Sequence, residues 1–185
     1  MSTHVLAIDP GLANPAAALF VDGALIAASR VKASTNTKQD IGMRGIIIAN
    51  AIVHWYADVI PNPAIKLVFV QEWIRTYPGA KAKPSKNLFP LTGVAMATAG
   101  MLYDKAHEFD VKSYEPRIWS GGLPKSTTGD PLKAPRGFRV WGRLNAVEQG
   151  RVTKLDHDTI DAIGIGLFYL GRMERRCVFP GSTPG

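Results

Sequence analysis

The chain has 185 residues, 46% hydrophobic and 20% charged. This composition describes one globular domain with a sizeable core and excludes a disordered or low-complexity polymer. The single cysteine, Cys177, excludes an internal disulfide and a cysteine-built metal cluster, and no apolar run reaches the length of a membrane span. A formal net charge of +7 calls for an anionic partner, with nucleic acid ahead of lipid because no basic amphipathic helix stands out.

The opening, MSTHVLAID, carries neither the basic region nor the long apolar stretch of a secretory leader, so a cytoplasmic protein of a bacterial cell is expected. Strands are predicted over 4–8, 16–21 and 24–29. Asp22-Gly23 between the last two is a strong signal for a two-residue hairpin. A helix is predicted over 40–59, with Ile41, Ile48, Ile52, Trp55 and Val59 among its apolar positions and Pro61 closing it. The run LVFV marks a strand over 66–71, and a loop rich in Gly, Pro and Lys follows over 76–87. The apolar stretch 88–109 reads as a helix, 110–114 as a short strand, 140–149 as a polar helix and 157–173 as a last, apolar helix. Residues 1–175 are expected to form one domain, with 176–185 as a frayed tail.

Four acids stand where a carboxylate is costly. Asp9 and Glu72 end apolar strands (HVLAID and KLVFVQE), while Asp158 and Asp161 open the apolar helix DTIDAIGIGLFYL. Buried carboxylates are expensive unless they are paired or bound to metal. At a separation of three, Asp158 and Asp161 share one face of the first helical turn. Alone, each has an ordinary structural reading. Asp9 before Pro10-Gly11 suits a turn, Glu72 an exposed strand end and Asp158 a helix N-terminus, with Asp156 as a cap or loop charge. Asp161 resists such a reading because it interrupts the apolar face.

The positive charge clusters beside these acids. Residues 117–154 hold eight basic side chains (Arg117, Lys125, Lys133, Arg136, Arg139, Arg143, Arg151 and Lys154) against Asp130 and Glu148. Arg75, Lys81, Lys83 and Lys86 follow Glu72 with no acid before Asp104, and Tyr77 lies among them, a mixture suited to phosphate contact and base stacking. Trp119 and Trp141 suit the core as well as they suit a base platform.

Three hairpin-linked strands followed by helix, strand, helix, strand and helix describe an α/β fold of ribonuclease H-like architecture, a mixed five-stranded sheet flanked by helices. Within that order AIDPG, VQEW and DTIDAIGIGL, with LTGVAMATAG, VKSYEPRIW and GGLPK between the last two, resemble the RuvC family of Holliday junction resolvases over 4–172. The resemblance implies a homodimeric endonuclease that nicks opposed strands of four-way DNA junctions, with Asp9, Glu72, Asp158 and Asp161 as catalytic metal ligands. It further implies two Mg²⁺ per site, replaceable by Mn²⁺, and Lys125 near the scissile phosphate. The expected DNA contacts are Arg75, Tyr77, Lys81, Lys83, Lys86, Arg117, Lys125, Lys133 and Arg136. The chain departs from the family pattern at Arg75, where those proteins present an apolar or aromatic wedge, and in the longer segment 126–136. Both departures suit a divergent, phage-borne member acting on several branched structures. The alternatives are a ribonuclease H-like nuclease on other branched or hybrid nucleic acids and a non-catalytic branched-DNA-binding module. A nucleotide-binding actin-like fold is excluded, since 185 residues leave no room for its second domain. The helix over 40–59 is apolar on more than one face, as a helix shared with a second subunit would be.

Overall fold

The computed structural model describes residues 2–13, 15–35, 38–61, 64–72, 88–125 and 129–173. Three strands open the chain: β1 (Thr3–Asp9), β2 (Ala16–Val21) and β3 (Ala24–Arg30). The predicted hairpin joins the last two, with Asp22 at φ 48° and Gly23 at φ 84°, the left-handed pair that a tight turn between twisted strands requires. Asp22 also accepts the Thr3 backbone N–H at 2.9 Å, tying the turn to the start of β1.

Helix α1 (Ile41–Val59) is capped by Asp40, whose Oδ1 accepts from the N–H groups of Gly42 and Met43. Its buried stripe runs through Ile48, Ile52 and Tyr56 at helical spacing. β4 (Ala64–Glu72) leads to α2 (Leu88–Leu102), and β5 (Ala106–Tyr114) completes the sheet. Its order is β3-β2-β1-β4-β5, antiparallel between β1, β2 and β3 and parallel between β1, β4 and β5. This is the mixed five-stranded sheet expected.

Two assignments need correction. The apolar stretch predicted as a helix over 88–109 leaves the helix at Leu102, makes a 3-10 turn over Tyr103–Lys105 and enters β5 at Ala106. Its residues AHEFD carry no strong strand preference, and pairing with β4 from Ala64↔Ala106 onward decides their conformation. The polar helix predicted over 140–149 is two helices, α4 (Pro135–Trp141) and α5 (Ala146–Gly150). Gly142 ends the first. Asn145 starts the second through a capping box, with its side chain on the Glu148 N–H and the Glu148 carboxylate on the Asn145 N–H. The basic segment after β5 also holds a short helix, α3 (Pro116–Ser120), and a 3-10 turn over Pro131–Lys133.

The last helix, α6 (His157–Tyr169), has Asp156 as its N-cap, accepting the Thr159 N–H at 2.9 Å. It is buried throughout Thr159–Leu167 because the sheet covers one side and Trp119 and Val140 cover the other. Two glycines permit this. A Cβ on Gly164 would lie 2.6 Å from the Trp119 ring, and one on Gly166 would lie 2.2 Å from Phe20. A second apolar layer packs α1 and α2 on the opposite face of the sheet through Leu6, Ile8, Leu67, Phe69, Ile48, Ile52 and Val94. Among the described residues, no helix is long and apolar enough to cross a membrane.

Candidate active site

Strand register builds one edge of the site. β1 and β4 run parallel with Ile8 opposite Gln71, so Asp9 and Glu72 come next, side by side, at their C-terminal ends. Side chains alternate across a sheet, and Val5, Ala7, Val68 and Val70 all face α6. Asp9 and Glu72 follow in that alternation and face the same helix. The Pro10-Gly11 turn leaves the Asp9 side chain free, because its hydrogen bond runs from the Gly11 N–H to the Asp9 carbonyl at 2.9 Å.

Helix α6 supplies the other two acids. Asp161 is 1% exposed, as its place in an apolar face requires. It is ion-paired with Lys125, and Arg136 Nη1 lies 3.4 Å from both of its oxygens. Arg136 is held in turn by its Nε bond to the Leu123 carbonyl at 2.9 Å and by its guanidinium stacking 5.4 Å above the Trp119 ring. Trp119 is fully buried and donates from Nε1 to Glu72 Oε1 at 3.3 Å. Asp158 stands a little apart, accepting from Arg30 Nη2 at 3.1 Å.

The four acids form one electrostatic unit. Burial pushes the Asp9 carboxyl well above the ordinary range, and the charges of Glu72, Asp161 and Asp158 push it further, with Lys125 opposing. Glu72 is also raised, by burial and then by Asp161, against Lys125, the Trp119 hydrogen bond and Arg136. Lys125 loses by burial but gains more from Asp161, Asp9 and Glu72, so its ammonium is held charged above its ordinary value. That ammonium is a cation drawn among three carboxylates.

The donor set therefore fits a hard divalent cation: all four groups are carboxylates, and two are destabilised by unneutralised neighbouring charge. Among the described residues, no three acidic, histidine or cysteine side chains stand as a ready-made metal cage. Lys125 and Arg136 are turned onto Asp161, and Arg30 onto Asp158, as counter-ions.

Of the basic residues expected to contact nucleic acid, Arg117 and Lys133 are exposed on α3 and the following 3-10 turn, while Arg136 points inward onto Asp161. Arg75, Tyr77, Lys81, Lys83 and Lys86 lie outside the described residues. Sequence reasoning missed Arg30 and left Trp119 between two roles. A cation ending the third apolar strand, as Asp9 and Glu72 end theirs, was the available signal for Arg30.

The chain has a ribonuclease H-like α/β fold, with acids at two strand ends and on the last helix. More narrowly, the fold is RuvC-like. The structure of T. thermophilus RuvC in complex with a Holliday junction substrate is similar, at TM-score 0.58 and 17% identity, covering 94% of this chain and 99% of that one. A second Thermus thermophilus RuvC structure is similar at TM-score 0.52 and 12% identity, covering 93% and 99%. At these identities the likeness is one of fold. No protein-family model and no curated protein sequence matches the chain.

Proposed function

We propose that this chain is a metal-dependent, structure-selective DNA endonuclease that resolves four-way junctions by paired symmetric nicks. The observation that carries the reading is the gathering of Asp9, Glu72, Asp161 and Asp158 at one end of the sheet, where the charges of the other three act on Asp9 and where Asp9, Glu72 and Asp161 surround Lys125. These carboxylates would hold Mg²⁺ or Mn²⁺, which would supply water activation and charge stabilisation for phosphodiester hydrolysis. Arg136, anchored at Leu123 and Trp119, orients Asp161, and the Trp119 indole orients Glu72. Lys125 has a half-exposed side chain reaching the acids from solvent, which suits a contact to the scissile phosphate. Exposed Arg117 and Lys133 belong to the same basic stretch and suit grip on the flanking backbone.

Two further features support a junction as substrate. One of the similar structures, T. thermophilus RuvC, holds a Holliday junction substrate. Ile41, Met43 and Ile46 on α1 and Met96 on α2 are exposed apolar side chains, suited to a two-fold partner that would bring a second active site for the opposed strand. Residues 1–175 serve in this reading as one nuclease domain.

The test is cleavage of labelled four-way junction, linear duplex, flap and RNA–DNA hybrid with Mg²⁺ or EDTA, by the wild type, Asp9→Asn, Asp161→Asn and Lys125→Ala. Symmetric junction nicking that disappears in both acid variants while binding persists is expected. Lys125→Ala should slow cleavage more than it weakens affinity. Metal-independent cleavage, or full activity in Asp9→Asn, refutes the site, and preferred cleavage of flap or hybrid moves the substrate to another nucleic acid.

A further inference from the structure

Arg30 ends β3 at the same end of the sheet as Asp9 and Glu72. It pairs with Ala16, and Ala16 pairs with Asp9, so the three form a row across the strands. Strand spacing places Arg30 roughly 10 Å from Asp9. Ala28, two residues earlier, faces α6, and the Arg30 guanidinium reaches the start of that helix. There Nη2 donates to Asp158 Oδ2 at 3.1 Å, and Nε lies 3.2 Å from Asp156 Oδ2.

The two contacts differ in quality. Arg30 Nε and Asp156 Oδ2 are both buried, yet neither makes a hydrogen bond, so the Asp156 contact is close but misaligned. Asp156 does not need it, because Oδ1 already caps α6 through the Thr159 N–H. The well-formed bond is the one to Asp158. Asp9, Glu72 and Asp161 are all coupled to Lys125, whereas Asp158 is ion-paired with a different cation. Arg30 is 36% exposed and also lines a cavity of about 490 Å³ with Lys32 and Lys154, so open space adjoins the guanidinium.

We propose that Arg30 is a positioning residue, an internal counter-ion that holds Asp158 toward β3 and competes with a divalent cation for its oxygens; this rests on the metal reading above. A carboxylate neutralised by a guanidinium has less to offer a second cation. A cation at Asp158 must therefore displace the guanidinium from Oδ2 or bind through Oδ1 a carboxylate that the guanidinium partly neutralises, while Asp156 Oδ2 lies 3.2 Å from Arg30 Nε.

The experiment is titration of DNA-free, metal-free protein with Mn²⁺, read by paramagnetic resonance of the free ion, which requires no turnover. Arg30→Gln should bind Mn²⁺ about fivefold more tightly, the ratio that ~1 kcal/mol of lost competing ion pairing gives for a partly exposed pair. In an Asp158→Asn background the same substitution should change nothing, since the competed group is gone. Arg30→Lys keeps the charge without the fork, so its affinity should fall between wild type and Arg30→Gln, and it carries the test should Arg30→Gln not fold. If Arg30→Gln lowers Tm but leaves Mn²⁺ affinity unchanged or weaker, Arg30 is only a structural clamp and the proposal is overturned. Failure of the wild type to bind Mn²⁺ in a manner that Asp9→Asn abolishes overturns the metal reading and this inference with it. Binding of that kind with no Arg30 effect overturns this inference alone.

Discussion

Gly166→Ala probes the packing that carries Asp158 and Asp161 to the sheet. A Cβ at this position would lie 2.2 Å from Phe20 Cε2 and 3.0 Å from Cδ2 and Cζ. Phe20 has no exposed surface and lies in the layer between sheet and α6, so its ring cannot retreat without opening the core. Overpacking a filled core costs about 1–3 kcal/mol, and an overlap this severe belongs at the upper end. Alanine returns about 1 kcal/mol of helix propensity relative to glycine. The net loss is about 2 kcal/mol, which for a chain of this size lowers Tm by roughly 4–8 °C. Gly100→Ala on α2 is the control, since nothing lies within 4 Å of its added Cβ. Only propensity acts there, and Tm should rise by about 2–4 °C. Calorimetric melts of the two variants beside wild type decide the matter. An unchanged or higher Tm in Gly166→Ala would show that α6 does not sit against Phe20 as described, and the placement of both helix acids would fall with it.

Two further outcomes follow from the buried charges. Asp9 titrates above its unfolded value because of burial and then its acidic neighbours, so the folded protein takes up the proton more readily than the unfolded chain. Its ionised form therefore costs stability above the raised value, and that cost is relieved as pH falls through it. In EDTA, Asp9→Asn should melt higher than wild type at pH 8, with the gap closing on acidification; identical melts across the range would refute the crowding of acids. Glu148 has the opposite sign. Two hydrogen bonds from Arg172, both 2.7 Å, act with the Leu25 and Asn145 N–H groups to lower its carboxyl from 4.5 to about 2 against the effect of burial. That stability is present above 4.5 and lost as pH falls toward about 2. Glu148→Gln should cost about 3 kcal/mol at neutral pH and flatten the acid limb of a urea-midpoint profile. An acid limb as steep as that of wild type counts against the clamp.

Local chemistry carried much of this fold into the sequence. The Asp22-Gly23 turn, the Asp156 cap and the helical spacing of Ile48 and Ile52 each act through neighbours a few residues away, so the linear chain displays them. Where preference was weak, partners decided. Residues 106–109 became strand because β4 offered an open edge, and the break at 142–145 was missed although Asn145 and Glu148 spell a capping box.

The candidate site divides along the same line. Sequence by itself determined that Asp9, Glu72, Asp158 and Asp161 end, open or interrupt apolar runs, a costly placement for a charge that is visible without coordinates, although only Asp161 lacks an ordinary structural reading of its own. Tertiary structure alone decided what neutralises them. Arg30, Lys125 and Arg136 come from three separate segments, and Trp119 joins Glu72 across 47 residues. No short-range pattern encodes such pairings. They depend on strand register, on how closely Gly166 lets α6 approach the sheet and on how closely Gly164 lets Trp119 approach α6, quantities that exist only once the chain has folded.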